Sequence, residues 1–162
     1  MSDLNEQLVK RIGEVHALEQ SVLRMLDGMI STTDDPELAN ALEHHRQQTE
    51  RHVELMEQCL AEHGESPSTV RQIGGVLGAL AKLPLDVTLG QKAGRNARDV
   101  YATEHFEIAS YELLSRVAEK AGDQATATIA REIIEEERAM ADVLAASWDR
   151  LVMLSLREGV PV

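Results

Sequence analysis

The chain has 162 residues, 43% of them hydrophobic, enough for one domain with a sizeable core. Its 16 Lys and Arg stand against 28 Asp and Glu, a formal charge of -12 at pH 7, so it lacks the basic footprint by which proteins hold nucleic acid or an anionic membrane. Only Tyr101, Phe106, Tyr111 and Trp148 are aromatic, which leaves the core to Leu, Ile, Val, Met and Ala and argues against an all-β domain.

The first residues, MSDLNEQLVKR, are charged and contain no apolar stretch of signal-peptide length, so a soluble protein of the cytoplasm is expected. Helical periodicity runs from about Asp3 to Ile30 and stops in Ser31-Thr32-Thr33-Asp34. Asp35-Pro36-Glu37 then supplies an N-cap, a proline at the first helical position and an acid in the first turn. This second helix reaches about His63 and ends at Gly64. It holds Cys59, the chain's one cysteine, which excludes an internal disulfide and any Cys-rich zinc module and suits a reducing compartment.

From Glu65 to about Asp86 the pattern weakens, and Pro67 and Pro84 bracket the small, apolar run from Ile73 to Ala81. That run is too short to span a bilayer, so Gly74 and Gly78 read better as part of a short helix packed across the domain than as a membrane contact. A third helix starts in the late eighties and continues to Lys120. Gly122-Asp123 reads as a C-cap glycine followed by an N-cap, opening a fourth helix to about Leu156. Two tight hairpins joined by a long connection over about 65–86 predict one all-α domain spanning residues 1–162. It is a four-helix bundle with a single crossover between helices two and three, the connectivity of ferritin-like folds.

Each apolar stripe, traced at helical spacing, is interrupted near its middle. Helix one gives Leu8, Ile12, Val15, Glu19, Val22, Leu26, Met29, with Glu19 central. Helix two gives Leu38, Leu42, His45, Thr49, His52, Met56, Cys59. Helix three gives Ala93, Ala97, Val100, Glu104, Glu107, Tyr111, Leu114, Ala118. Helix four gives Ala125, Ile129, Glu132, Glu136, Val143, with Ile133 and Met140 alongside, and Glu135 is held as the spare. Glu135 and Glu137 otherwise read as a solvated face paired with Arg131 and Arg138. If each hairpin turns where the punctuation says, Glu19 shares a height with Thr49, His52 lies one turn further, and Glu107 lies opposite the Glu136-Glu137 region. Val15 to Gln20 parallels Val100 to His105, with valine, alanine and glutamate at matching offsets, so Glu19 and Glu104 are pseudo-equivalent.

Burying one unpaired carboxylate costs several kcal/mol, whereas a whole domain is usually stable by roughly 5–15 kcal/mol. Five carboxylates in one core layer must therefore be protonated, paired or bound to cations. No Lys or Arg occupies the central inward positions, which leaves protons or metal. Carboxylates with imidazole suit iron, manganese or zinc, and the dimetal pattern of helix bundles takes a Glu from each of two helices and Glu-x-x-His from each of the others. Tyr111 is expected in the core with its hydroxyl on a layer carboxylate.

The segment Glu104-His105-Phe106-Glu107-Ile108-Ala109-Ser110-Tyr111, followed by Glu132 and Glu135-Glu136-Glu137, resembles the second half of the YciF-type bacterial stress-associated members of the ferritin-like superfamily. Leu18-Glu19-Gln20 and the spacing of His45, Thr49 and His52 resemble their first half, and a more distant similarity is to the rubrerythrins. The resemblance implies metal ligands at Glu19, His52, Glu104, Glu107 and Glu132 with Glu136 or Glu135, a bound iron centre, and oxidase or peroxide-protective chemistry. Two positions depart from the wider superfamily: Thr49-x-x-His52 stands where Glu-x-x-His is usual, and helix four has no histidine. His45, one turn from Thr49, is the nearest substitute. Those departures favour a rival expectation, a non-catalytic stress or scaffold protein with a degenerate site; an adaptor that binds another protein through exposed stripes is a third. Phe106, Leu113 and Val117 on helix three, with Ile134, Ala141, Ala145, Trp148 and Val152 on helix four, form second apolar stripes. They predict a homodimer interface.

Overall fold

The computed structural model describes residues 3–73 and 92–158. Among the described residues six helices follow in chain order: α1 (Asp3–Ile30), α2 (Pro36–Glu62), α3 (Pro67–Ile73), α4 (Lys92–Ala121), α5 (Gln124–Ala145) and α6 (Trp148–Glu158). Helices α1 and α2 pack as one antiparallel hairpin and α4 and α5 as another; α1 lies against α4, and α2 faces α5 across a sparser seam. This is the all-α, ferritin-like bundle with a crossover between its hairpins. The expected short helix over Ile73 to Ala81 falls almost entirely outside the described residues.

Local chemistry sets the turns. The Asp35 carboxylate accepts from the Leu38 amide at 2.8 Å, with Pro36 at the first helical position. At the second hairpin Gly122 adopts φ 84°, a conformation costly for any residue with a Cβ, and Asp123 caps α5 by accepting from the Thr126 amide at 3.0 Å. The crossover begins with α3 lying on α1 at Gly13, where an added Cβ would sit 2.1 Å from Val70 Cγ1. Glycine is the residue that permits this approach.

The fourth predicted helix is not continuous to Leu156. It breaks at Ala146–Ser147, where the Ser147 hydroxyl donates back to the Val143 carbonyl at 2.7 Å and the Ser147 carbonyl accepts the first bond of α6 from Leu151. Ser147 thus stands at the position before α6 and opens it through its backbone carbonyl. Beyond the break, Trp148 meets the edge of Tyr101 with ring centroids 5.8 Å apart, and Leu151 is fully buried.

The core is divided. One apolar cluster joins Leu8, Ile12, Met56, Leu60, Leu114 and Ile133, and a second joins Leu18, Val22, Leu26, Leu42, Val100, Met140 and Leu144. Between them Glu19, His45, Thr49, His52, Glu104, Glu107 and Glu137 are all fully buried. No helix among the described residues is long and apolar enough to cross a membrane.

Candidate metal centre

The four long helices bring their mid-length polar residues to one layer. From α1 comes Glu19, from α2 His45, Thr49 and His52, from α4 Glu104 and Glu107, and from α5 Glu137. Their spacings of three, four and seven residues keep each helix's contribution on one face. The layer contains two groups of donors: His45, Glu104, Glu107 and Glu137 in one, and Glu19, His52 and Glu137 in the other. In each, one ligand atom per residue lies within 4.8 Å of all the others. Donors held about 2.0–2.2 Å from a common ion stand at most about 4.4 Å apart, so either group needs only a small contraction.

Glu137 belongs to both groups, and its two oxygens point different ways. Its Oε2 lies 3.5 Å from His45 Nε2, and its Oε1 lies 3.1 Å from His52 Nδ1. His45 Nε2 is also 3.2 Å from Glu104 Oε1, and His52 Nδ1 is 3.4 Å from Glu19 Oε1. The Tyr111 hydroxyl donates to Glu19 Oε1 at 2.5 Å, as the sequence predicts. Thr49 spends its hydroxyl on the His45 carbonyl of its own helix, at 3.0 Å.

Burial governs the electrostatics. It pushes the Glu104 carboxyl well above the usual carboxylate range, and the neighbouring Glu137 charge adds to the effect. Glu107 is raised in the same way by burial, then by Glu137 and Glu19. Burial also raises Glu19, although the nearby His52 opposes it. For His52 the desolvation that would depress its pKa is overcome by Glu137 and Glu19, which hold it up at about 10. Glu137 is lowered because His52 and Glu104 outweigh its burial. Burial thus favours the neutral form of Glu104 and Glu107, while the pairing of His52 with Glu137 favours the charged form of each.

The donor set fits a metal. Buried oxygens of Glu19, Glu104, Glu107 and Glu137, both ring nitrogens of His45 and Nδ1 of His52 lack hydrogen-bond partners among the described residues. Polar atoms buried this deeply are ordinarily satisfied. Carboxylates with imidazoles suit iron, manganese or zinc.

The residues expected at the site fare differently on different helices. Glu19, His45, His52, Glu104 and Glu107 meet in the layer. On α5 the predicted face is wrong by one residue. Glu132 is exposed, as is Glu135, which pairs with Arg138 at 2.5 Å. Glu136 is partly exposed and joins neither donor group; it contacts Arg51 and His52 instead. Glu137, read from sequence as a solvated acid, is the inward residue. The inward face of α5 follows Ala130, Ile133, Glu137, Met140 and Leu144, a rotation of roughly 100° from the predicted one. Ile133, Met140 and Leu144 were the signal, since Glu137 completes their spacing.

A helical bundle with a carboxylate and histidine layer at mid-height defines the ferritin-like class. The family described as "Domain of unknown function (DUF892)" matches residues 3–156, and the chain belongs to that family. Protein YciF of Escherichia coli (strain K12) is 25% identical over 145 residues, covering 86% of each chain. A protein of Xanthomonas campestris pv. campestris superposes with a TM-score of 0.78 at 28% identity, over 96% of this chain and 97% of that one. A Bacillus anthracis structure described as ferritin-like, diiron-carboxylate proteins matches with a TM-score of 0.75 at 17% identity, over 91% and 99% of the two chains, a likeness of fold.

Proposed function

We propose that the buried layer binds a pair of divalent transition-metal ions, iron before manganese or zinc, and that the protein uses them in protective handling of dioxygen or peroxide. The observation that carries this reading is the set of unpartnered buried atoms on all four inward carboxylates and both inward histidines. One ion would be held by His45, Glu104, Glu107 and Glu137, the other by Glu19, His52 and the shared Glu137. Iron bound there supplies electron exchange with dioxygen or peroxide. The chain's own part is to fix the donors, keep bulk water out with the apolar clusters on either side, and surrender the protons on Glu104 and Glu107 as the cations enter.

The departures from the superfamily pattern are met from other helices. Thr49 provides no carboxylate, and Glu107 of α4 adds one to the layer; α5 provides no histidine, and His45 of α2 adds one. A stress role is supported by the relative in Escherichia coli, whose solved structure is described as a stress protein.

The test is metal analysis of protein purified without chelator and after anaerobic Fe(II) loading. About two ions per chain are expected, with Glu19→Ala and Glu104→Ala each losing most of the metal and the metal-dependent rise in melting temperature. A wild-type protein that takes up no metal and melts unchanged overturns this reading in favour of a non-catalytic scaffold.

A further inference from the structure

Two consecutive acids approach the two nitrogens of one buried imidazole. Glu137 Oε1 lies 3.1 Å from His52 Nδ1, and Glu136 Oε2 lies 2.8 Å from His52 Nε2. The other Glu136 oxygen pairs with Arg51, the residue just before His52. The pair Arg51–His52 on α2 is thus matched to the pair Glu136–Glu137 on α5, across the sparser seam of the bundle. Glu136 stands outside both donor groups, and its side chain is 28% exposed where those of His52 and Glu137 are fully buried.

We propose that Glu136 is a positioning residue: it accepts the Nε2–H of His52 and so commits Nδ1 as the nitrogen offered to the layer, with Arg51 steadying Glu136 from the solvent side. This rests on the layer being a metal site. A neutral imidazole carries one N–H and one lone pair, and the hydrogen bond at one nitrogen decides which nitrogen is free to ligate. An ionised carboxylate only accepts, so its contact at Nε2 requires the hydrogen there. Among the described residues His45 has no such partner, since neither of its ring nitrogens is hydrogen-bonded. The two histidines therefore differ: the ring of His52 is anchored by α5, whereas that of His45 is left to the ion to orient.

The experiment uses the full chain with histidine nitrogen-15 labelled. Zn(II)-loaded wild type is expected to show His52 bound through Nδ1 and protonated at Nε2, and Co(II) titration gives the affinity. Glu136→Ala is expected to weaken Co(II) binding by about 10–100-fold and to remove the Nε2–H signature of His52, leaving the His45 signals in place. Glu136→Gln, whose amide carbonyl can still accept from Nε2–H, should recover most of the affinity and the signature, and keeps the test open should the alanine variant not fold. Wild-type affinity with unchanged His52 signals in Glu136→Ala overturns the role, as does a Gln variant as weak as the alanine one. Failure of the wild-type chain to bind Zn(II) or Co(II) overturns the metal reading itself, and this role with it.

Discussion

Glu107 is held in the buried layer at an electrostatic cost. Its carboxyl is raised from 4.5, first by burial and then by Glu137 and Glu19. A folded-state pKa above the unfolded one means that the folded chain keeps a proton which the unfolded chain releases. The associated stability is complete below the unfolded value and is lost as pH rises toward the folded one. Glu107→Gln keeps the shape without the ionisation. In chelator-treated protein it is expected to melt with wild type at about pH 4 and above it at pH 7, the gap growing by about 1.4 kcal/mol per pH unit across the window. With Fe(II) added at pH 7 the order should invert, because the variant has lost a donor. Thermal melts in the four conditions decide the matter, and a Gln variant less stable than wild type in chelator at pH 7 contradicts it. Glu137 marks where residue-level reading from sequence fails. The Glu135-Glu136-Glu137 run offers an acid at three successive helix phases, and the adjacent Ile133 and Ile134 leave the apolar stripe ambiguous by the same step. Glu19, His52 and Glu104 have no such doubles beside them, and their faces are read correctly.

At the level of elements, punctuation was legible and packing was not. Asp35-Pro36 and Gly122-Asp123 mark their turns because caps and left-handed glycines are local chemistry. The break between α5 and α6 falls at Ala146–Ser147, with neither glycine nor proline, because it follows from Trp148 turning onto Tyr101 across the bundle. The cap on α5 also joins the two hairpins: the Asp123 carboxylate lies 3.0 Å from His63 Nε2 at the end of α2, and its hydrogen bonds to Thr126 and His63 outweigh burial and hold its pKa low. Asp123→Ala is expected to lose about 1–2 kcal/mol, read as a lower urea midpoint, whereas Asp123→Asn keeps the cap and loses less. Because the Asp123 pKa is depressed on folding, the alanine penalty should be full at neutral pH and shrink as pH falls through the folded value. A penalty that persists unchanged in acid would show that the carboxylate charge is not its source.

For the whole molecule, the exposed apolar side chains on α4 and α5 point to self-association. Phe106 and Leu113 are 44% and 47% exposed and Val143 48%, whereas Ile134 and Ala141, expected in the same outer stripe, are buried within the bundle. We propose that a second copy of the chain covers Phe106 and Leu113. Sedimentation velocity is expected to give a dimer, and Leu113→Glu a monomer with unchanged helix content; a wild-type monomer at every concentration removes the proposal.

The divided core has a consequence for traffic. Hydrocarbon from α1, α2, α4 and α5 fills the bundle above and below the layer, closing both ends of its long axis among the described residues. A path to Glu137 along that axis would have to displace packed side chains. On the α2 and α5 seam, partly exposed Arg51 and Glu136 stand just outside buried His52 and Glu137 and give the layer a polar flank toward solvent.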